Sequence, residues 1–260
     1  MILFQEQNSL IPYNYNTYVY TDFSFIPHLH HDFEWIYVKE GTLELTVENR
    51  TELLHTGESA LILQNQIHSF HTPQHSVIWV CVFAKDYVPE FCKMIRDRIC
   101  KNNRLYLPSS DRDFLLRKLI ETDADRLETC ACLHLVCACF MKNRSDEDFV
   151  LADYTGSQLL LHQMLVHISA HFTENITLHE MAQALGYDES YISRSFHAFF
   201  KKNFKQFVNE YRIHYARELL AQYGRDKTMT EIAYMSGFQS VRNFNRAYRN
   251  IVGSQPRDVM

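Results

Sequence analysis

The chain has no apolar run long enough to cross a membrane. Its longest apolar stretch, Cys130–Met141, is interrupted by His134 and falls short of the ~20 residues a spanning helix needs. The start, MILFQEQNSL, lacks a basic region followed by an apolar core, so no secretory leader is expected. The seven cysteines are an odd number in no regular framework of spacings. That argues against a disulfide-stapled secreted domain and predicts reduced thiols in a cytoplasmic protein with no membrane partner. With 46% hydrophobic and 22% charged residues, the composition is that of a folded globular protein. The 260 residues suffice for two compact domains.

An overall excess of basic charge is also missing, since the net charge is −5. The charge is nevertheless unevenly spread. Residues 1–150 carry 14 Lys and Arg against 21 Asp and Glu, whereas 188–257 carry 12 against 6, a local +6. A local basic surface matters more than the total for a polyanionic partner, because phosphate contacts supply most non-specific affinity for DNA.

The last third of the chain states one pattern twice. TLHEMAQALGY begins at Thr177 and TMTEIAYMSGF at Thr228. At an offset of 51, Thr177 pairs with Thr228, Glu180 with Glu231, Ala182 with Ala233 and Gly186 with Gly237. Each copy opens with Thr-x-x-Glu, a capping box at a helix start, and reaches a Gly suited to a positive-φ helix end. A second short helix is predicted after each, over Glu189–Phe199 and Val241–Ile251. Short helix, tight turn and second helix make a helix-turn-helix, whose second helix enters a DNA major groove. A long helix near Lys205–Tyr223, ended by Gly224, joins the two units at about 177–199 and 228–251.

These residues carry a family resemblance. The stretches ALGYDESYISRSF (184–196) and SGFQSVRNFNRAYRNIVGSQPRDV (236–259) resemble the DNA-binding domain of the AraC/XylS family of bacterial transcription regulators. Two departures stand out. Lys201 occupies the place where the first repeat usually has a turn Gly, so Lys202 or Asn203 is expected in the left-handed conformation. Asn245 replaces a frequent Ser. The resemblance implies recognition positions at Ser190, Ser193, Arg194 and His197 in the first unit, and at Arg242, Asn243, Asn245 and Arg246 in the second. Arg suits guanine and Asn suits adenine. Lys201, Lys202, Lys205 and Arg249 are assigned to phosphates. Tyr191, Ile192, Phe196, Phe244 and Tyr248 fall on the apolar stripe and are expected in the core.

From Tyr18 to Phe83 the pattern is strand-like, with runs such as TLELTV (42–47) and VIWVCVF (77–83). Turns are expected at Glu40–Gly41, Glu48–Arg50 and His55–Glu58, giving a small barrel or jelly roll. His28-x-His30-x3-Glu34-x6-Gly41 matches the first motif of the cupin barrel, and His68 holds the histidine position of a degraded second motif. On one strand of period two, residues 28, 30 and 34 would point the same way. Three readings stay open. The residues line a pocket for an organic effector, a sugar among the candidates, with Trp35, Tyr37, Phe70 and Trp79 as stacking surfaces. Alternatively His28, His30, Glu34 and His68 hold a divalent metal, or they are structural. No cofactor is required by the first or last reading.

From Asp111 to Lys142 two helices are predicted, with a cap at Thr122-x-x-Asp125, and Asp153–Ser157 reads as a linker. On one helix Cys130 and Cys137 share a face nearly opposite Cys132 and Cys139, so one helix does not close a four-thiolate site, and inert core thiols are expected. The expected fold is multidomain. A cupin-like all-β effector-binding barrel spans 1–100 and a helical dimerisation or linker region spans 101–152. An all-α domain of two helix-turn-helix units joined by a long helix spans 153–260. The expected function is a non-enzymatic transcription regulator, an activator by family habit. Its partners are double-stranded promoter DNA, a small-molecule effector, RNA polymerase and a second copy of the chain. The rival is a metal-dependent cupin enzyme or a metal- or redox-responsive regulator.

Overall fold

The computed structural model describes residues 15–96, 98–121, 125–142, 144–151, 154–223 and 226–256. The chain divides into two compact units, Asn8–Asp153 and Tyr154–Met260. Among the described residues no helix is long and apolar enough to cross a membrane.

Among the described residues the first unit opens with seven strands: β1 (Tyr15–Thr21), β2 (Phe25–His28), β3 (Phe33–Val47), β4 (Arg50–His55), β5 (Ser59–Ile62), β6 (His68–His71) and β7 (Ser76–Phe83). Their β-branched and aromatic residues suit a pleated, buried surface. All pairing is antiparallel. β3 is the spine. Its first half lies between β5 and β7, with Glu34 opposite Ile62 and Val82. Its second half lies between β4 and β6, with Val47 opposite His68. The turn expected at Glu40–Gly41 is instead a bend within this one strand. Register shifts between Val38 and Glu40, and Gly41 has φ +78°. A Cβ at Gly41 would sit 2.0 Å from the His75 carbonyl oxygen, so only Gly admits the crossing from one sheet to the other.

A helical layer covers one sheet. It comprises α1 (Pro89–Ile95), short strands β8 (Arg98–Cys100) and β9 (Arg104–Leu105), α2 (Ser109–Leu116), a π-helical turn at Arg117–Glu121, α3 (Arg126–Met141) and β10 (Phe149–Leu151). Trp35, Trp79 and Phe83 from the sheet form one core with Leu133, Val136 and Phe140 of α3. Asp125 is itself the N-cap of α3, accepting 2.8 Å from the Glu128 amide. The expectation that Asp125 closes a box opened by Thr122 is therefore corrected for Asp125, while Thr122 lies outside the described residues.

The second unit is all helical: α4 (Gly156–His171), α5 (Leu178–Leu185), α6 (Glu189–Phe200), α7 (Phe204–Tyr223), α8 (Met229–Met235) and α9 (Val241–Val252). α7 is the shared wall. Phe207 meets Phe196 of α6 edge-on at 5.3 Å, and Tyr215 meets Phe172 at 5.4 Å. Gly224, expected to end α7, lies outside the described residues. Arg212 of α7 donates from Nε to the Phe172 carbonyl at 2.7 Å and from Nη2 to that of Glu174 at 2.7 Å. Its guanidinium also lies 5.7 Å from the Phe238 ring, so one side chain joins the end of α4 to the turn of the second pair. Gly237 in that turn has φ +86°, and a Cβ there would meet the Thr173 Cα at 2.6 Å.

Candidate nucleic-acid interface and buried histidine cluster

Both predicted capping boxes form, with the same geometry. The Thr177 and Thr228 amides donate to Glu180 and Glu231 at 2.8 Å, and each threonine Oγ1 accepts from its glutamate's amide at 3.2 Å. Glu231 is held below the usual carboxylate range, first by the hydrogen bond from the Thr228 backbone. Asp188 caps α6 and Ser240 caps α9. From Thr177 to Asp188 is eleven positions and from Thr228 to Ser240 is twelve, so the second turn is one residue longer. The repeat offset thus changes from 51 to 52 at the turn, and buried Ile192 corresponds to buried Phe244.

Ser190, Ser193, Arg194 and His197 are exposed on α6. Arg242, Asn243 and Arg246 are exposed on α9, with Asn245 half-buried and the Arg246 guanidinium 3.3 Å from Asn243 Oδ1. Lys201, Lys205 and Arg249 are exposed. Lys202 is held by Glu210, Nζ to Oε2 at 2.6 Å. Two expectations need correction. Lys201 itself takes the left-handed conformation, φ +54°, and ends α6 one residue before the expected positions, its amide still bonded to the His197 carbonyl. Tyr191 is not core. It is 43% exposed and its ring lies 5.5 Å from that of Tyr187. Counted from the N-caps, Tyr191 corresponds to Asn243; counting from the start of the repeat hid this.

In the first unit, four groups converge inside the barrel. Ligand-type atoms of His28, His30, Glu34 and His68 all lie within 4.8 Å of one another, and all four residues are buried. They do not come from one strand, as the period-two expectation had it. His28 ends β2, His30 lies in the following loop, Glu34 is in β3 and His68 opens β6. The loop turns back because the His30 carbonyl accepts from the Asn65 amide at 2.8 Å. Each imidazole Nδ1 sits against a backbone carbonyl: His28 on Ile26 at 2.7 Å, His30 on Asp32 at 2.7 Å, His68 on Gln66 at 2.9 Å. A carbonyl only accepts, so each ring carries its proton on Nδ1 and offers Nε2. The Nε2 atoms of His30 and His68 then face Glu34 Oε2 at 3.0 and 3.5 Å. Burial works to raise the Glu34 carboxyl, but contacts with His30 and His68 outweigh it and hold it at about 2. Burial pulls His30 below the usual imidazole range.

The aromatic set does not join this cluster. Trp35 and Trp79 belong to the core under the helices, and Tyr37 packs against that core, on the face of β3 opposite Glu34. Phe70 does come near, 6.1 Å from His28. Where Leu45, Val47 and Ala60 reach the mouth of the barrel there is a cavity of about 230 Å³, rimmed by Arg50, Lys101 and Arg104 together with Glu48 and Glu52, residues that the sequence motifs gave no reason to select. Cys132, Cys137 and Cys139 are buried and Cys130 half-buried. Burial raises the Cys137 thiol well above its ordinary value, as expected of core thiols.

Comparison with known proteins agrees with this architecture. Residues 181–260 match a helix-turn-helix domain family and 18–83 a cupin domain family. An HTH-type transcriptional regulator of Staphylococcus aureus strain MSSA476 is 23% identical over 233 residues, covering 85% of this chain. The chain spans about 30% of that relative's length. The regulator YtdP of Bacillus subtilis is 31% identical over 93 residues, 35% of this chain and 12% of its own. Apo ToxT of Vibrio cholerae shares the fold, with TM-score 0.60 and 16% identity over 95% of this chain and 96% of that one. Wild-type ToxT bound to an unsaturated fatty acid gives TM-score 0.55, at 16% identity over 95% and 94%. The chain thus carries a helix-turn-helix domain and a cupin domain, the two parts that its resemblance to AraC/XylS regulators implies.

Proposed function

We propose that the chain is a sequence-specific DNA-binding transcription regulator whose barrel takes a small-molecule effector. The observation that carries this reading is the pair of short helices that bury their apolar stripe and turn Ser, Asn and Arg outward. Arg194, Arg242 and Arg246 suit guanine, and Asn243 and Asn245 suit adenine, while Ser190, Ser193 and His197 serve bases or phosphates. Lys201, Lys205 and Arg249 are assigned to phosphates; Lys202 joins them only by exchanging Glu210. The relatives' names as regulators support the reading. Dimerisation through the region 101–152, and activation through contact with RNA polymerase, complete it.

The effector reading draws support from the cavity at the barrel mouth. Its apolar floor, with Arg50 and Lys101 beside Glu48 and Glu52 at the rim, suits a small amphipathic molecule that offers both donors and acceptors. The ToxT structure with a bound fatty acid supports a small molecule on this fold. A sugar is less favoured, because Trp35, Tyr37 and Trp79 face away from the interior.

One observation favours a second property, a divalent cation held by His28, His30, Glu34 and His68. Neutral imidazoles offering lone pairs to an ionised carboxylate repel it unless a cation stands between them, so the donor set fits a metal. Glu34 Oε1 is enclosed and takes no hydrogen bond among the described residues. A metal would supply a fixed positive charge there, and in the rival enzymatic reading a Lewis acid. The chain's own residues orient the donors, through the three carbonyl contacts at Nδ1, and exclude water.

Fluorescence anisotropy with the duplex upstream of the chain's own gene tests the regulator reading. Binding should exceed that to random duplex and should survive EDTA. Equal binding to both at moderate salt would refute sequence-specific regulation, and turnover requiring metal would favour the enzyme.

A further inference from the structure

We infer that the trough between the two recognition helices grips the sugar-phosphate backbone of the duplex segment lying between the two reading sites, with Asn175, Lys205 and Asn209 as positioning residues. This rests on the DNA-binding reading above and adds Asn175 and Asn209, to which the sequence gave no role, to Lys205, already assigned to phosphate.

Two grooves flank the start of α7. One, about 620 Å³, is bordered by Ser193 and His197 of the first recognition helix. The other, about 600 Å³, is bordered by Asn243, Arg246 and Asn250 of the second. They share one wall: Asn175, Asn203, Lys205, Asn209 and Arg212 line both. The two grooves therefore form one continuous trough from helix to helix. No Asp or Glu lines either, although 151–260 holds ten acidic residues. The mouth of the barrel, by contrast, is lined by Glu48 and Glu52 as well as by basic side chains. The first groove has an apolar floor from Ile176, Leu178, Phe196, Phe204 and Val208, but the wall common to both grooves is acid-free and made of amides and cations, which complements a phosphodiester chain.

The shared wall divides into residues already committed and residues that are not. Arg212 is spent on the Phe172 and Glu174 carbonyls. Asn203 caps α7, exchanging bonds with Gln206 at 2.9 and 3.2 Å. The side chains of Asn175, Lys205 and Asn209 make no hydrogen bond or ion pair among the described residues, and Asn175 and Lys205 are exposed. When two helices on one support read successive major-groove segments, the minor groove and its two backbones pass between them. The amide NH2 groups of Asn175 and Asn209 donate to phosphate oxygens without adding charge, and Lys205 adds one charge. This contact fixes where the protein sits along the duplex and carries no base preference itself.

The test uses the full chain and two fluorescent duplexes, one of random sequence and one from upstream of its own gene. Asn175→Asp and Asn209→Asp are near-isosteric and set a carboxylate against phosphate; Lys205→Gln removes one charge. Gln158→Glu on α4, outside the trough, controls for net charge. Each Asp variant should weaken binding to both duplexes roughly fivefold or more. Lys205→Gln should lower the slope of log K against log salt by about 0.9. Circular dichroism melting verifies folding, and Asn175, in an exposed turn, gives the answer if Asn209→Asp does not fold. Asp variants that bind like Gln158→Glu overturn the inference while leaving the regulator reading standing. A wild-type chain that binds neither duplex overturns both.

Discussion

His30 and Glu34 face each other inside the barrel, Nε2 3.0 Å from Oε2, with 1% of either side chain exposed. With His30 Nδ1 on the Asp32 carbonyl, that approach needs a cation or an added proton between the rings and the carboxylate. Elemental analysis of the purified chain should find roughly one divalent metal per chain, and EDTA should lower its melting temperature. Glu34→Gln should abolish both the metal and the EDTA effect. A metal-free protein indifferent to EDTA would leave the cluster as protonated histidines around a carboxylate.

Arg246 and Tyr191 should act on DNA rather than on folding. Arg246→Ala should cost about 1–3 kcal/mol at the specific site and leave random-duplex affinity nearly unchanged. Tyr191→Ala, at the position matching Asn243, should likewise reduce discrimination while changing stability by about 0.5 kcal/mol or less. Competition binding and urea unfolding separate the two effects. Large destabilisation by Tyr191→Ala would return that ring to the core.

Two glycines of the repeat should differ sharply. Gly186→Ala meets open space and bears only the backbone cost of φ +74°, on the order of 1 kcal/mol. Gly237→Ala adds a collision with Thr173 and Phe172 backbone atoms at 2.6–2.9 Å, so its loss should exceed that of Gly186→Ala by several-fold. Equal denaturation midpoints for the two variants would contradict the close approach of this turn to the end of α4.

Acid should weaken the second unit through His214. Burial foremost, then the charges of Arg217 and Lys202, holds its imidazole well below the ordinary range. The unfolded ring binds a proton near 6.5 while the folded one does not, so its contribution is complete above that pH. It is lost progressively as pH falls below about 6.5 toward the folded value. Melting temperatures measured from pH 7.5 to 5 should decline, and His214→Leu should flatten the decline. An unchanged slope would assign the acid sensitivity to another group.

The helical half was legible because capping boxes and turn glycines are local signals: Thr177, Glu180, Thr228 and Glu231 sit as their spacing required. The Lys201 expectation failed because positive φ is disfavoured for a residue with a side chain but not forbidden, and Lys201 bears it at the C-cap itself. In the barrel, the convergence of His28, His30, Glu34 and His68 was legible as a motif, but its route through a folded-back loop was not. Trp35, Tyr37 and Trp79 misled because β3 is buried on both faces, so burial alone does not tell the interior of the barrel from the layer beneath α3.

The additional position between α8 and α9 has a practical outcome. The two probes bury the same stripe only when aligned from their N-caps, and an exchange of α6 for α9 copied at the 51-residue offset would shift the graft by one position, about 100° around the helix. Hybrid regulators built from this scaffold need the intervening turn transplanted together with its helix.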